Sequence, residues 1–248
     1  DMQYPDEVAV KQIAKPADAQ TQRLLAREVD ICVKLSQSEA ASAFCKLIDR
    51  FEDEETIYLV MELCAGGELY DRIIDMHGGQ YPEPLAATLV RQLFEGINQL
   101  HAFGVIHRDL KVENVLFPDN SADCPPKISD FGLSRFVDSP SERVMYTGCG
   151  TVGYTAPEII ARQPYDRKVD IFALGVIAYI VLSGTEPFTG DNDMETAQRT
   201  TAGDYCMDGE EWDDVSDLAK DLIRMCLAPA PEDRPSAAEV LQHEWLRM

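Results

Sequence analysis

His107-Arg108-Asp109-Leu110-Lys111-Val112-Glu113-Asn114 is the stretch that decides how this 248-residue chain reads. It sets an acid, a base and an amide in one short loop, just ahead of the apolar Val115-Leu116-Phe117. Sixteen residues after Asn114 comes Asp130-Phe131-Gly132, and later Ala156-Pro157-Glu158. A carboxylate at a strand end followed by glycine suits magnesium, which takes oxygen ligands alongside substrate phosphates.

Upstream, Glu7 to Ile13 alternates like a strand, with Lys11 on the face opposite Val8 and Val10. Alone, such a lysine is as readily a surface residue of an edge strand. From about Ala19 to Leu35 the spacing predicts a helix whose apolar stripe is Leu24, Leu25, Ile31, Cys32 and Leu35. Glu28 falls inside that stripe, and a carboxylate aimed at a core needs a cationic partner. Lys11 is the natural candidate.

Ser36 to Ser42 reads as a polar link. Phe44–Phe51 and Thr56–Glu62 then read as a hairpin around four consecutive acids, 52–55, which suit a solvated tip. Paired glycines at 66 and 67 predict a hinge over 63–67. Pro84 to Phe103 has long helical periodicity, with Gly104 placed to cap it. Ile171 to Ser183 is apolar nearly all round and predicts a buried helix carrying Asp170 at its start. Further helices are predicted at about Met194–Thr201, Ser216–Cys226 and Ser236–His243, the last with a Ser236/Glu239 capping box. The acidic run Asp208–Asp214 reads as a solvated loop, and Asp191 to Glu195 lacks the glycine and later glutamate of a calcium loop.

Composition bounds the rest. Hydrophobic residues make 45% and charged residues 27%, the balance of a folded chain. The longest apolar run is too short to span a bilayer, and the mixed, charged opening does not resemble a signal peptide. Seven cysteines without C-x-x-C spacing suggest free thiols and a cytoplasmic, or alternatively nuclear, setting. The net charge of −22 disfavours nucleic acid and anionic membranes and would suit a basic peptide, although acids that merely keep the surface soluble explain it equally.

The motifs together resemble the protein-kinase set, in which the loop aspartate accepts the substrate hydroxyl proton and the asparagine and the Asp-Phe-Gly aspartate hold Mg²⁺. The stretches between them, such as Gly66-Gly67-Glu68-Leu69-Tyr70-Asp71, Leu182-Ser183-Gly184-Thr185-Glu186-Pro187-Phe188 and His243-Glu244-Trp245-Leu246, resemble the calcium/calmodulin-dependent kinase group. In tone they are most like the calcium-dependent protein kinases. The resemblance implies an α+β, bilobal fold with a small β-rich lobe over 1–62, a hinge at 63–67 and a mainly helical lobe over 68–248. It also implies a serine/threonine kinase using ATP and Mg²⁺ on protein substrates, with an upstream activating kinase as a further partner.

Residue by residue, the resemblance implies Lys11 on the α/β-phosphates, held by Glu28. Met61 is implied beside the adenine, Glu62 to Cys64 as the source of its backbone bonds, and Glu68 at the ribose or a substrate arginine, with Glu113 as a second acidic contact. Asp109 would act on the hydroxyl, Lys111 on the γ-phosphate, and Asn114 and Asp130 on the metal. Thr147 aligns with an activating phosphosite clasped by Arg108 and Arg135. Thr151 aligns with a threonine that bonds the catalytic aspartate and lysine. Asp170 is implied as the anchor of the catalytic loop, and Glu158 as the partner of Arg234; both are structural roles. Val112, Phe172 and the link after Ser36 depart mildly from the pattern. No G-x-G-x-x-G precedes Lys11, and ten residues reach at most about 35 Å, so the first strands and the glycine-rich loop are expected to be absent from this chain. A pseudokinase or docking module is the alternative reading.

Overall fold

The computed structural model describes residues 7–76, 78–137, 142–143 and 150–247. It combines a small N-terminal sheet with a helical C-terminal region. Strand β1 (Val8–Ala14) leads to helix α1 (Ala19–Ser36), started by Asp18, whose carboxylate accepts from Thr21 N. Strands β2 (Leu47–Glu52) and β3 (Thr56–Glu62) form the expected hairpin, and the sheet order is β1-β3-β2, all antiparallel. The acids at its tip are exposed, and Asp53 closes the turn by accepting from Glu55 N and Thr56 N.

Period two in β1 sends Ala9, Lys11 and Ile13 to one face. That face is the inward one, while Val10 on the other is 50% exposed. Helix α1 covers the inward side with Leu25, Val29, Ile31, Cys32 and Leu35, and Glu28 is buried among them. The side chain of Leu24 lies outside the described residues. The strand before the hairpin is shorter than the sequence predicts: 39–43 curl into a 3₁₀ turn, and Phe44 makes a lone bridge to Ile128.

After β3 the chain crosses to α2 (Leu69–Asp75) and α3 (Glu83–Ala102). Gly66 is required at the crossing because a Cβ there would lie 2.1 Å from Asp119 O. Helix α3 ends at Gly104, at φ +71°, the left-handed conformation that stops a helix without steric cost in glycine. Two-residue strands follow in antiparallel pairs: β4 (Val105–Ile106) with β7 (Arg135–Phe136), and β5 (Val115–Leu116) with β6 (Lys127–Ile128).

Helices α4 (Pro157–Ile160), α5 (Lys168–Ser183), α6 (Asp193–Ala202), α7 (Asp217–Cys226) and α8 (Ala237–Val240) complete the described elements. Every residue of α5 from Val169 onward is buried, so it forms the axis on which α3 and α7 pack. Two expectations need correction. The last helix stops at Val240, not His243, because the following amides bond three residues back and turn the chain so that Trp245 and Leu246 are buried. The acidic run 208–214 is not simply a solvated loop: it curls into a 3₁₀ turn that buries Trp212, its ring 4.7 Å from that of Tyr179.

Candidate active site

A cleft of about 350 Å³ opens between the sheet and the helical region, lined by Lys11, Glu28, Met61, Glu62, Cys64 and Asp130 among others. Lys11 Nζ lies 2.7 Å from Glu28 Oε1 and 3.0 Å from Asp130 Oδ1. Burial alone would lower the lysine pKa, but the two carboxylates outweigh it and hold Lys11 above its ordinary value. Asp130 is the mirror case: burial raises it, and the bonds from Lys11 bring it below the usual carboxylate range. Its backbone sits at φ +60°, uncommon outside glycine, and the Gly132 amide donates to Oδ1 at 3.3 Å. Phe131 fixes this turn by packing its ring between Phe44 (5.8 Å) and His107 (5.3 Å).

The loop that opened the sequence reading is tied to the same turn. Ser129, the residue before Asp130, donates N–H and Oγ to Asn114 O at 2.9 and 3.1 Å, and its own carbonyl faces His107 Nε2 at 3.0 Å. Asn114 Nδ2 donates to Asp109 O at 2.7 Å, which leaves the amide oxygen as the acceptor a cation could use. Asp109 Oδ1 accepts from Thr151 Oγ1 at 3.3 Å. The Lys111 carbonyl accepts from Asn114 N at 3.0 Å, but its side chain makes no hydrogen bond or ion pair among the described residues, so the expected contact to Thr151 is not formed. Glu68 starts α2 and bridges to Leu116. Glu113 carries a buried carboxylate oxygen, Oε2, with no partner among the described residues.

A buried carboxylate holds the loop from beneath. Asp170 is 1% exposed and accepts from His107 N and Arg108 N at 2.9 Å each, with His101 Nε2 at 2.8 Å. Arg108, at φ +72°, donates to Leu133 O and Tyr165 Oη. Glu158 and Arg234 form a two-pronged pair, both contacts 2.7 Å, with Arg234 1% exposed. Thr147 lies outside the described residues, and Arg135 is half-buried in β7.

Sequence reading missed three partners. Lys127 pairs with Glu62 at 2.9 Å. His101 backs Asp170, and Ser134 donates to His107 O at 3.2 Å. Only His101 left a signal: it is a histidine in the last turn of an otherwise apolar helix face.

The donor set fits magnesium. Asp130 and Asn114 offer hard oxygens, held together through Ser129, in a cleft wide enough for phosphates and water to complete the shell.

Comparison with known proteins agrees with this geometry. The family described as protein kinase domain matches residues 2–246. Calcium/calmodulin-dependent protein kinase type 1 of Macrobrachium nipponense is 40% identical over 239 residues, covering 96% of this chain and 67% of that protein. The protein of the same name from Caenorhabditis elegans is 41% identical over 238 residues, covering 96% and 66%. Human serine/threonine-protein kinase H1 is 44% identical over 201 residues, covering 81% and 47%. The chain thus spans about half to two thirds of the length of these relatives. It belongs to the protein kinase domain family, on the serine/threonine side of that family.

Proposed function

We propose that this chain transfers the γ-phosphoryl group of Mg·ATP to serine or threonine hydroxyls of proteins that are basic around the target. The observation that carries this is the convergence of Lys11, Glu28 and Asp130 in one cleft, bonded through Ser129 to the loop of Asp109 and Asn114.

Adenine would lie beside Met61 and bond the main chain of Glu62 and Cys64. Lys11, oriented by Glu28, would draw the α/β-phosphates into place. Asp130 and Asn114 would hold Mg²⁺, which neutralises charge on the phosphate oxygens. Asp109, steadied by Thr151 and Asn114, would orient the hydroxyl for in-line attack and take its proton. Lys111, whose side chain has no competing partner among the described residues, would meet the γ-phosphate. Such chemistry is chiefly positioning and charge stabilisation.

Glu68 and the buried oxygen of Glu113, which has no partner among the described residues, support a preference for arginine before the target residue. Residues 63–67 would act as the hinge between lobes. Thr147 would be the site of an activating kinase, with Arg108 and Arg135 to receive its phosphate. Free thiols among the described cysteines support a cytoplasmic or nuclear setting. The stretches between the motifs support kinship with the calcium-dependent protein kinases within the wider group. Among the described residues β1 pairs only with β3, so its open edge is where a strand bearing a phosphate-covering loop would add.

The test is Mg·ATP-dependent transfer to an Arg-x-x-Ser peptide library by the chain, by the chain extended upstream, and by Asp130→Asn. Transfer by the first or second, lost in the third, is expected. No transfer by either would make a non-catalytic docking module the better reading.

A further inference from the structure

A second hollow, of about 280 Å³, lies outside the nucleotide cleft, between the N-terminal half of α1 and the hairpin-tip end of the sheet. Leu25, Ala26 and Val29 of α1 and Ile57 of β3 make its apolar wall, and Lys15 and Arg50 are its charged residues. Strand register sets Arg50 across from Leu59, and Leu59 across from Lys11, so Arg50 lies on the face of the sheet that α1 covers. The whole chain carries 44 acidic and 22 basic side chains, yet this wall holds two bases and no acid. The nucleotide cleft, by contrast, is lined by Glu28, Glu62 and Asp130. The chain's own Glu52 marks what the two bases attract. One of its carboxylate oxygens lies 3.4 Å from Lys15 Nζ and 3.5 Å from an Arg50 guanidinium nitrogen. Both contacts are long and Glu52 is exposed, so the pairing is a weak surface one that an incoming carboxylate displaces. Lys15 also donates to Asp53 O, which holds its ammonium at this end of the sheet.

We infer that this hollow is a docking surface for an acidic peptide segment of a partner protein. The segment seats one bulky apolar side chain between α1 and the sheet and sets an Asp or Glu carboxylate on Lys15 and Arg50. The hollow falls at the lower edge of ligand pockets, which run from about 300 to 1,000 Å³, so it suits a side-chain anchor better than a whole cofactor. Arg50 belongs to β2, which pairs only with β3 among the described residues, so an extended segment finds backbone donors and acceptors along that edge. A lysine-rich segment meets like charge at the same place. The position also ties docking to the cleft. Leu25 and Val29 flank Glu28 on α1, and Glu28 Oε1 holds Lys11 Nζ at 2.7 Å. A side chain wedged against that turn fixes α1 on the sheet and, with it, the Lys11–Glu28 pair. The docking surface stands independently of the proposed function; its effect on phosphotransfer rests on that reading.

Fluorescein-labelled dodecapeptide pools with a central Phe flanked by Asp and Glu are titrated with the chain and followed by anisotropy. Matched pools carry Lys in place of the acids, or Ala in place of Phe. The acidic Phe pool should bind, and both altered pools should bind about tenfold more weakly or worse. Ala26→Phe, which fills the hollow from an exposed helix position, and Arg50→Ala should each weaken binding by about tenfold. Circular dichroism checks that both variants fold, and Arg50→Ala, at an exposed site, carries the test where Ala26→Phe does not. No binding by the acidic pool, equal binding by the lysine pool, or unchanged affinity in the folded variants overturns the inference. So does a dimer of the chain that Ala26→Phe abolishes, because a second copy is then the occupant. In the Arg-x-x-Ser assay the bound peptide should raise the transfer rate by about fivefold or more. Binding without that rise, in a chain that transfers, overturns the coupling to Glu28. A chain that binds the peptide but transfers nothing, extended upstream or not, overturns the kinase reading and leaves the docking surface established.

Discussion

Replacing Asp170 by alanine should destabilise the chain by about 3–5 kcal/mol, the range for removing one partner of a buried, hydrogen-bonded charge cluster. The carboxylate is 1% exposed and accepts from two loop amides and from His101. Alanine orphans all three donors, each worth about 1–3 kcal/mol when left unmade in a dry site. Entry of water and relaxation of the loop bring the sum toward the lower total. Asp170→Asn retains one acceptor oxygen and should cost about 1–3 kcal/mol. At about 2–4 °C per kcal/mol for a chain of this size, the alanine variant should melt about 6–20 °C lower. Urea unfolding followed by tryptophan fluorescence would read this, because Trp212 and Trp245 are both buried. The pH dependence gives an independent check. Burial pushes Asp170 up, but the bond to His101 and the loop amides bring it below the ordinary carboxylate value. Its stabilisation is therefore full above about pH 4 and is lost as pH falls through the lower folded value. Asp170→Asn should lack that acid-side loss. An alanine variant within about 1 kcal/mol of the parent, or an unchanged acid limb in the asparagine variant, would refute the reasoning.

Three further outcomes are expected. Glu28→Gln should lower kcat/KM for phosphotransfer by about 10²-fold, because Lys11 keeps its charge but loses its orienting carboxylate; steady-state kinetics at saturating peptide would measure it, and a change under threefold would count against the pair. Arg234→Leu leaves Glu158 buried without its partner and should cost about 3–5 kcal/mol in denaturant unfolding. Glu68→Gln should raise KM for an Arg-x-x-Ser peptide by about tenfold while leaving an Ala-x-x-Ser peptide unaffected, a comparison that separates specificity from folding.

The elements written in periodicity were legible from sequence. Helices α1, α3 and α5 and the hairpin follow from apolar spacing, and Glu28 betrayed itself by interrupting a stripe. The Lys11–Glu28 pair expected from the sequence is formed, on the covered face of β1. What sequence could not supply was the second carboxylate there, Asp130, over a hundred residues away. The Lys127–Glu62 and His101–Asp170 pairs were hidden for the same reason: each joins segments whose proximity only the fold creates. Short 3₁₀ turns at 39–43 and 210–212 escaped notice because three-residue spacing leaves little periodic signal. Trp212 was masked by the acids around it.

The account turns on Asp109 acting at the hydroxyl, and Asp109→Asn tests it most directly. Single-turnover transfer from Mg·ATP to an Arg-x-x-Ser peptide would be measured alongside nucleotide affinity, for the unsubstituted and substituted chains, each also extended upstream. The predicted result is a rate lower by about 10²–10⁴-fold with nucleotide affinity within about threefold of the parent. Transfer by Asp109→Asn at close to the parent rate would contradict the assignment of this loop as the catalytic one.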